Sequence, residues 1–256
     1  MKITYRSLSE IQHSPDLLLT TIYDMKLGGI LLVGPAEVDT IRLIQSTHTP
    51  LVLVDNYAPN VDAVLGRNFE GAKTAVEYLI SMGHQHIALI NGPARAERPF
   101  VNKVYTLEER ARGYRVALWE AGLSASPALQ VAGDLSTEGG YASCKRLLQQ
   151  NIPFSAVFCA NDETAIGAMK ALREAGCRIP EDVSLVGFDD IDMVEHLTPA
   201  LTTVQVNKEA LGIIAFKRLL SLVNSPDPVS VLSMLEVKLM IRDSVSRCSR
   251  PMLKPV

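Results

Sequence analysis

The chain contains 256 residues and carries a formal net charge of −3, from 25 Lys and Arg against 28 Asp and Glu. Hydrophobic residues make up 47% and charged residues 21%, which is typical of one large or two small globular domains and excludes a largely disordered chain. No cationic segment stands out, so charge alone predicts no contact with a nucleic acid backbone.

Short apolar runs alternate with helical patterns, and this alternation predicts an α/β fold with a mostly parallel sheet. The predicted strands are Lys2–Tyr5, Gly29–Val33, Leu51–Val54, Ala63–Leu65, Ile87–Ile90, Leu129–Val131, Ala156–Cys159, Val183–Val186, Thr202–Val204 and Leu235–Ile241. The predicted helices are Asp16–Lys26, Phe69–Met82, Leu107–Ala121, Thr137–Gln150, Asp162–Ala175 and Lys208–Val223. A break containing proline follows the last helix at Ser225–Pro228.

The N-terminal residues and the cysteines predict the cellular compartment. Lys2, Arg6, Glu10 and Asp16 interrupt the start of the chain, which therefore has no apolar core of a signal peptide. No apolar run approaches the roughly 18 residues that a membrane helix needs. The cysteines are widely spaced, and Cys159 lies in an apolar run that predicts a buried free thiol. We therefore expect a cytoplasmic protein.

Polar residues follow several of the predicted strands at the point where each strand ends. Asp55, Asn91, Asn161 and Asp189 each stand directly after an apolar run. In open parallel sheets ligands bind beyond the carboxyl ends of the strands, and carboxylates and amides suit sugar hydroxyls. The alternative interpretation is helix capping and turn formation by Asp and Asn. Spacing alone does not decide between the two.

Arg110 stands early in a predicted helix, where a cation opposes the helix dipole, and this placement suggests that it reaches a partner. The alternative is a surface ion pair with a neighbouring carboxylate. The His84-Gln85-His86 segment is interpreted as a loop, since no metal-ligand cluster accompanies it. Phosphate-binding, nucleotide-binding and hydrolase motifs are absent from the sequence, so we expect no enzyme activity, no cofactor and no metal.

Three ordered segments resemble the LacI/GalR family of bacterial repressors. They are Gly66–Pro93 with the motif GRNFEGA, Ala156–Ala168 with CANDETAIGA, and Ile179–Val204 with VGFDD. The similarity extends from about Gly28 to Ser244.

The resemblance implies a periplasmic binding protein-like fold of type I, with two doubly wound parallel-sheet subdomains facing a ligand cleft. Residues 1–66 and 206–225 would form the N-terminal subdomain, and residues 67–205 and 226–256 the C-terminal subdomain. Lys2–Tyr5 would match the second strand of the fold. The first strand and helix, and the N-terminal helix-turn-helix, would then be missing from this chain.

The same resemblance implies a sugar-sensing domain of a transcriptional repressor, which binds a small hydroxyl-rich effector through Asp55, Arg110, Asn161 and Asp189. It also implies a homodimer that contacts operator DNA only through a headpiece absent here. The family often places an aromatic ring where this chain has Leu135, and we consider Tyr57 or Phe188 as substitutes for it.

Three alternatives stay open at this point. The first is a periplasmic-type sugar-binding protein for transport, which would need a signal peptide or a lipoprotein cysteine. The second is an enzyme built on a doubly wound sheet. The third is a truncated regulator fragment without an independent function.

Overall fold

The computed structural model describes residues 3–7, 10, 14–93, 104–225 and 229–248. The described residues divide into two units, each with its own contacts. The first unit contains the residues up to Gly66, residues 104–106 and Asn207–Leu235. The second contains residues 67–93, Leu107–Val206 and residues 236–248.

The elements alternate between helix and strand along most of the chain. In order they are α1 (Pro15–Asp24), β1 (Ile30–Val33), α2 (Val38–Ser46), β2 (Leu51–Val54), β3 (Asp62–Gly66), α3 (Asn68–Ser81), β4 (Ile87–Asn91), α4 (Tyr105–Glu120), β5 (Gln130–Ala132), α5 (Thr137–Gln149), β6 (Ala156–Cys159), α6 (Asp162–Glu174), β7 (Ser184–Val186), β8 (Thr203–Gln205), α7 (Lys208–Asn224), β9 (Leu232–Leu235) and β10 (Lys238–Met240). Short 3-10 helices lie at Pro127–Leu129 and Asp192–His196.

The first unit is built on a parallel sheet with the strand order β1-β2-β3-β9. Every residue of β2 and β3 is buried, which is the pattern of parallel strands covered on both faces. The apolar core of this unit joins α1 and α2 to the sheet through Leu18, Ile22, Ile41 and Ile44.

The second unit holds a parallel sheet with the order β5-β4-β6-β7, and β8 pairs antiparallel with β10. The two central strands, β4 and β6, are paired along four residues from Ile87↔Ala156 to Ile90↔Cys159. Because all four strands are parallel, their carboxyl ends meet at one edge of the sheet. The chain segments that follow them are therefore brought together at that edge.

The described residues confirm the α/β class and most of the predicted strands and helices. Cys159 is buried as a free thiol, also as predicted. His84 lies between α3 and β4, as the loop interpretation required, and its ring contacts Ser155 Oγ at 2.9 Å and the carbonyl oxygen of Ser246 at 3.1 Å. Burial lowers the pKa of His84, so the ring lies there as a neutral hydrogen-bonding group.

Three predictions about the termini and the first unit are wrong. The predicted strand Lys2–Tyr5 is not formed at residues 3–5, where Ile3 and Tyr5 are 76% and 87% exposed; Lys2 lies outside the described residues. The single strand predicted at Leu235–Ile241 is two strands, β9 and β10, which pair with different sheets. Since β9 pairs with β3, residues 232–235 belong to the first unit and not to the second, where the sequence had placed them. Helix α2 was not among the helices predicted from the sequence.

The pairing of β1 predicts a difference in hydrogen exchange. In the described part of the chain β1 pairs only with β2, and Val33 is 61% exposed, whereas β6 is buried throughout and pairs on both sides. Exposed strand edges open at low free energy. We expect native-state amide exchange to be roughly tenfold or more faster for the hydrogen-bonded amides of residues 28–54 than for those of residues 156–187. Equally strong protection in both stretches would show that another segment covers β1 in solution.

Candidate ligand-binding site

The carboxyl edge of the second unit's sheet collects polar groups from three strands. Asn91 ends β4, Asn161 follows β6, and Asp189 follows β7 after Gly187 and Phe188. Strands β4, β6 and β7 are neighbours in the sheet, so these groups follow adjacent carboxyl ends. This is the edge at which open parallel sheets bind their ligands.

Arg110 of α4 is buried at this edge, with 3% of its surface exposed. Its Nε donates to Asn68 Oδ1 at 2.7 Å, and its Nη1 donates to the carbonyl oxygen of Ala160 at 2.6 Å. Its Nη2 lies 3.0 Å from Asp189 Oδ1, and the guanidinium carbon lies 3.8 Å from the centroid of the Phe188 ring. All three nitrogens of the guanidinium therefore have a partner, and the Phe188 ring covers one of its faces.

The surface-pair interpretation of Arg110 is wrong, because that pairing belongs to the next arginine along the helix. Arg112 Nη1 lies 3.3 Å from Glu109 Oε1 on the exposed face of α4, and the Arg112 side chain is 60% exposed. Exposed pairs of this kind contribute little to stability. Arg110, in contrast, has its charge removed from water, and such a charge requires partners.

Asp189 and Asp190 form a turn that non-glycine residues seldom adopt. Their φ angles are +106° and +50°. Conformations of this kind cost about 1–3 kcal/mol each and persist only where the surroundings hold them. The Asp189 amide donates to the carbonyl oxygen of Val204 at 2.8 Å, and Asp190 Oδ1 lies 2.7 Å from Arg242 Nη2. Gln205 Nε2 donates to the other Asp190 oxygen at 2.9 Å. The Asp189 side chain is 27% exposed, so its carboxylate meets both Arg110 and solvent.

Asn161 is the N-cap of α6, which confirms the capping interpretation for this residue. Its Oδ1 accepts a hydrogen bond from the Thr164 amide at 3.0 Å. Its Nδ2 donates to the carbonyl oxygen of Leu135 at 2.9 Å. Asn161 thus ties the start of α6 to the segment after β5, where Leu135 has a φ of +71°.

Asp55 lies in the first unit, directly after β2, with a φ of +53°. Its amide donates to the carbonyl oxygen of Val64 at 2.9 Å, which places it at the carboxyl end of that unit's sheet. Of the four residues proposed from the sequence, the structure brings Arg110 and Asp189 into contact and places Asn161 at the same sheet edge. Asp55 belongs to the other unit.

Several residues at the edge were not proposed as site residues. Asn68 supports Arg110, and no motif in the sequence assigned it that role. In the sequence, Asn91 is recognisable only as a polar residue that follows a predicted strand. Its Oδ1 is buried and accepts no hydrogen bond from the residues that the structure describes. A buried acceptor without a donor costs about 1–3 kcal/mol, so this oxygen is suited to a donor from a bound molecule.

The two aromatic rings considered as sugar-stacking surfaces have structural partners. Phe188 is fully buried beneath Arg110, so its ring offers no face to a ligand. The Tyr57 ring packs against Tyr105 in the first unit, with 4.9 Å between the centroids. Phe188 instead stabilises the arginine by a cation–π contact.

Two classes of site receive no support in the described part of the chain. Among the described residues no group of three or more His, Cys, Asp or Glu side chains is arranged to hold a metal ion. A search of the same residues for a helix long and apolar enough to cross a membrane gives none.

Two parallel-sheet units with a polar group at a carboxyl edge define the periplasmic binding protein-like class, and the comparisons agree. The family model of the periplasmic binding protein-like domain matches residues 76–245. A probable HTH-type transcriptional repressor, ExuR of Bacillus subtilis, is 33% identical over 231 residues, which cover 89% of this chain and 67% of the relative.

Solved structures give the same result. A complex of the transcriptional regulator CelR with cellobiose is 30% identical with a TM-score of 0.82, and the match covers 90% of this chain and 69% of that one. A LacI family transcriptional regulator from Enterococcus faecium with bound ribose is 29% identical with a TM-score of 0.77, covering 94% and 86%. The chain therefore belongs to the periplasmic binding protein-like family and is the ligand-sensing effector domain of a LacI-type transcriptional regulator. It spans about two thirds of the length of the Bacillus relative.

The double role of Asn161 predicts a graded loss of stability. Asn161→Ala removes a helix cap, worth about 1 kcal/mol, and the bond to Leu135, worth about 1 kcal/mol more. Asn161→Ser keeps a cap acceptor and loses the amide donor to Leu135, so we expect it to fall between the wild type and the alanine variant. The measurement is the free energy of unfolding in urea, followed by circular dichroism.

The matched control for this series is Asn207→Ala. Asn207 caps α7 by accepting from the Ala210 amide at 2.9 Å and is exposed. We expect its loss to cost about 1 kcal/mol, the value of the cap alone. Equal costs for Asn161→Ala and Asn207→Ala would mean that the bond to Leu135 contributes nothing.

Proposed function

We propose that the second unit binds a small hydroxyl-rich effector at the carboxyl edge of its sheet, and that Asp189, Arg110 and Asn161 contact it. The observation that carries this proposal is the Arg110–Asp189 pair, in which a fully held guanidinium orients a carboxylate that is 27% exposed. An ionised carboxylate accepts strong hydrogen bonds from vicinal hydroxyls. Asn91 Oδ1 offers a further acceptor at the same edge. Asp55 is the proposed ligand-contacting acid of the first unit.

The chemistry of these groups favours a sugar. Carboxylate and amide oxygens supply acceptors, while the arginine supplies donors and a fixed positive charge. Two structural relatives bind cellobiose and ribose, which supports the same class of ligand here. With Leu135 after β5 and Phe188 buried, stacking on a ring contributes little in this unit, so hydrogen bonds select the effector.

We propose that binding of the effector regulates transcription, and that this regulation takes place in the cytoplasm. The relatives are transcriptional repressors, which supports a regulatory sensor over an enzyme or a transport protein. Operator DNA would be contacted through a headpiece outside this chain, since DNA-binding modules of this kind read bases with a dedicated recognition helix.

The proposed ligand contact of Asp189 predicts a loss of affinity in Asp189→Ala. The ligand is first identified with a panel of ribose, cellobiose, ribose 5-phosphate and adenosine by isothermal titration calorimetry of the wild-type chain. Removing a charged hydrogen-bond partner costs about 1.5–3 kcal/mol, which corresponds to about one to two decades in Kd.

Asp192→Ala is the matched control, because Asp192 is exposed three residues further on and the variant loses the same charge. We expect its affinity to equal that of the wild type. Unchanged affinity in Asp189→Ala would remove Asp189 from the site, and a wild-type chain that binds no member of the panel would count against the sugar class.

We also propose that the chain forms a homodimer through the effector domain. LacI-type repressors read two half-sites related by a twofold axis, and closed twofold dimers are the commonest assemblies of soluble proteins. Sedimentation equilibrium at micromolar concentration is expected to give twice the mass of one chain. A single-chain mass over the whole concentration range would contradict the proposal.

A further inference from the structure

A buried carboxylate lies under the turn that carries Asp189. Asp162 is the first residue of α6 and is 1% exposed. Its Oδ2 accepts a hydrogen bond from the Ile191 amide at 2.9 Å, and its Oδ1 accepts one from Thr203 Oγ1 at 2.5 Å. Asp162 thereby joins the start of α6 to the end of the turn and to β8.

The start of the turn is packed closely against Asp162. A Cβ on Gly187 would collide with Asp162 Oδ1 and would come within 3.0 Å of a Leu201 methyl group. Glycine is required at this position by the close approach of the carboxylate. The backbone at the start of the turn therefore rests directly on the Asp162 side chain.

This carboxylate is costly to keep in the interior. The pKa of Asp162 is raised to about 7, chiefly by burial; the hydrogen bonds from Thr203 and Ile191 oppose this rise, and the charges of Asp189 and Asp190 add to it. The two donors to Asp162, the Ile191 amide and the Thr203 hydroxyl, are both neutral. A buried acid whose hydrogen-bond donors are both neutral reduces stability, and such exceptions to the usual pattern concentrate at functional sites.

The turn is held from its other side by Arg242. The pair between Arg242 and Asp190 fixes the residue after Asp189, and Asp162 fixes Ile191 one residue further on. Asp189 itself is held through its amide by Val204. The left-handed conformation of two successive aspartates is thus held by the contacts of Asp162, Arg242 and Val204.

We propose that Asp162 is a positioning residue of the effector site: its two hydrogen bonds hold the 187–191 turn in the strained conformation that places the Asp189 carboxylate against Arg110 and toward the ligand. This inference rests on the proposed function for its ligand step, but the positioning itself is a property of the ligand-free chain. Asp162 acts through Asp189 and does not touch the effector.

The first test is made without ligand, by amide hydrogen exchange on the full chain. Asp162→Ala removes both hydrogen bonds and is expected to accelerate exchange at the Asp189 and Ile191 amides by about tenfold or more relative to the rest of the unit. Asp162→Asn is expected to restore protection, because its amide oxygen accepts from Ile191 and its nitrogen donates to Thr203. Met169→Ala is the control, since it truncates another buried side chain of the same helix and removes neither of the two hydrogen bonds.

The second test measures affinity for the member of the sugar panel that the wild type binds. We expect Asp162→Ala to weaken binding by about tenfold, and Asp162→Asn and Met169→Ala to stay within about threefold of the wild type. Thr203→Val removes one of the two bonds while keeping the shape of the side chain, and it replaces Asp162→Ala if that variant does not fold. Its expected effect is a smaller change in the same direction in both tests.

Two results would overturn the proposal. The first is turn exchange in Asp162→Ala that matches the exchange in Met169→Ala. The second is a loss of affinity that Asp162→Asn does not restore. A wild-type chain that binds no sugar of the panel contradicts the proposed function alone, because the exchange experiment still decides whether Asp162 holds the turn.

Discussion

The burial of the Arg110 guanidinium is the constraint on which the arrangement of the second unit's sheet edge depends. A charge removed from water destabilises the fold unless acceptors surround it, and removing one partner of such a charge typically costs about 3–5 kcal/mol. Its acceptors come from Asn68, the Ala160 carbonyl and Asp189, which belong to three segments far apart in the chain. Satisfying one side chain therefore fixes the positions of α3, β6 and the turn after β7 relative to α4.

Asp189 pairs with Arg110 and is also the proposed ligand contact. Because it is 27% exposed while Arg110 is 4% exposed at the side chain, the ion pair has one buried and one accessible member. The arginine orients the carboxylate before any ligand arrives, so little conformational entropy remains to be lost on binding. The strain of the turn is offset by structural contacts, chiefly those of Arg242 and Asp162, and this leaves the Asp189 side chain available for recognition.

The sequence predicted elements wherever burial was complete. Strands β2 and β6 were predicted to the residue, since each is a run of four consecutive apolar residues followed within two residues by a polar one. Helix α2 was missed because its β-branched residues favour strands, and burial of Ile41 and Ile44 overrides that preference. The contact between Arg110 and Asp189 joins residues far apart in sequence, so no local spacing encodes it. The family resemblance implied both residues. It did not indicate that Asn68 accepts a hydrogen bond from Arg110, or that the Phe188 ring packs against the guanidinium.

The candidate site residues differ in how free they are to meet a ligand. Asn161 uses its oxygen to cap α6 and its nitrogen to hold Leu135, so a ligand that takes either atom must replace a bond already made. Asn91 Oδ1 differs, because it accepts no hydrogen bond from the described residues. A ligand donor could bind to it without breaking an existing bond there. Hydrogen bonds that complete an unsatisfied buried group discriminate most strongly between ligands, because a ligand without the matching donor leaves the full penalty in place. In the proposed site, selectivity would therefore depend more on Asn91 and Asp189 than on Asn161, whose main contribution is the geometry that the others require.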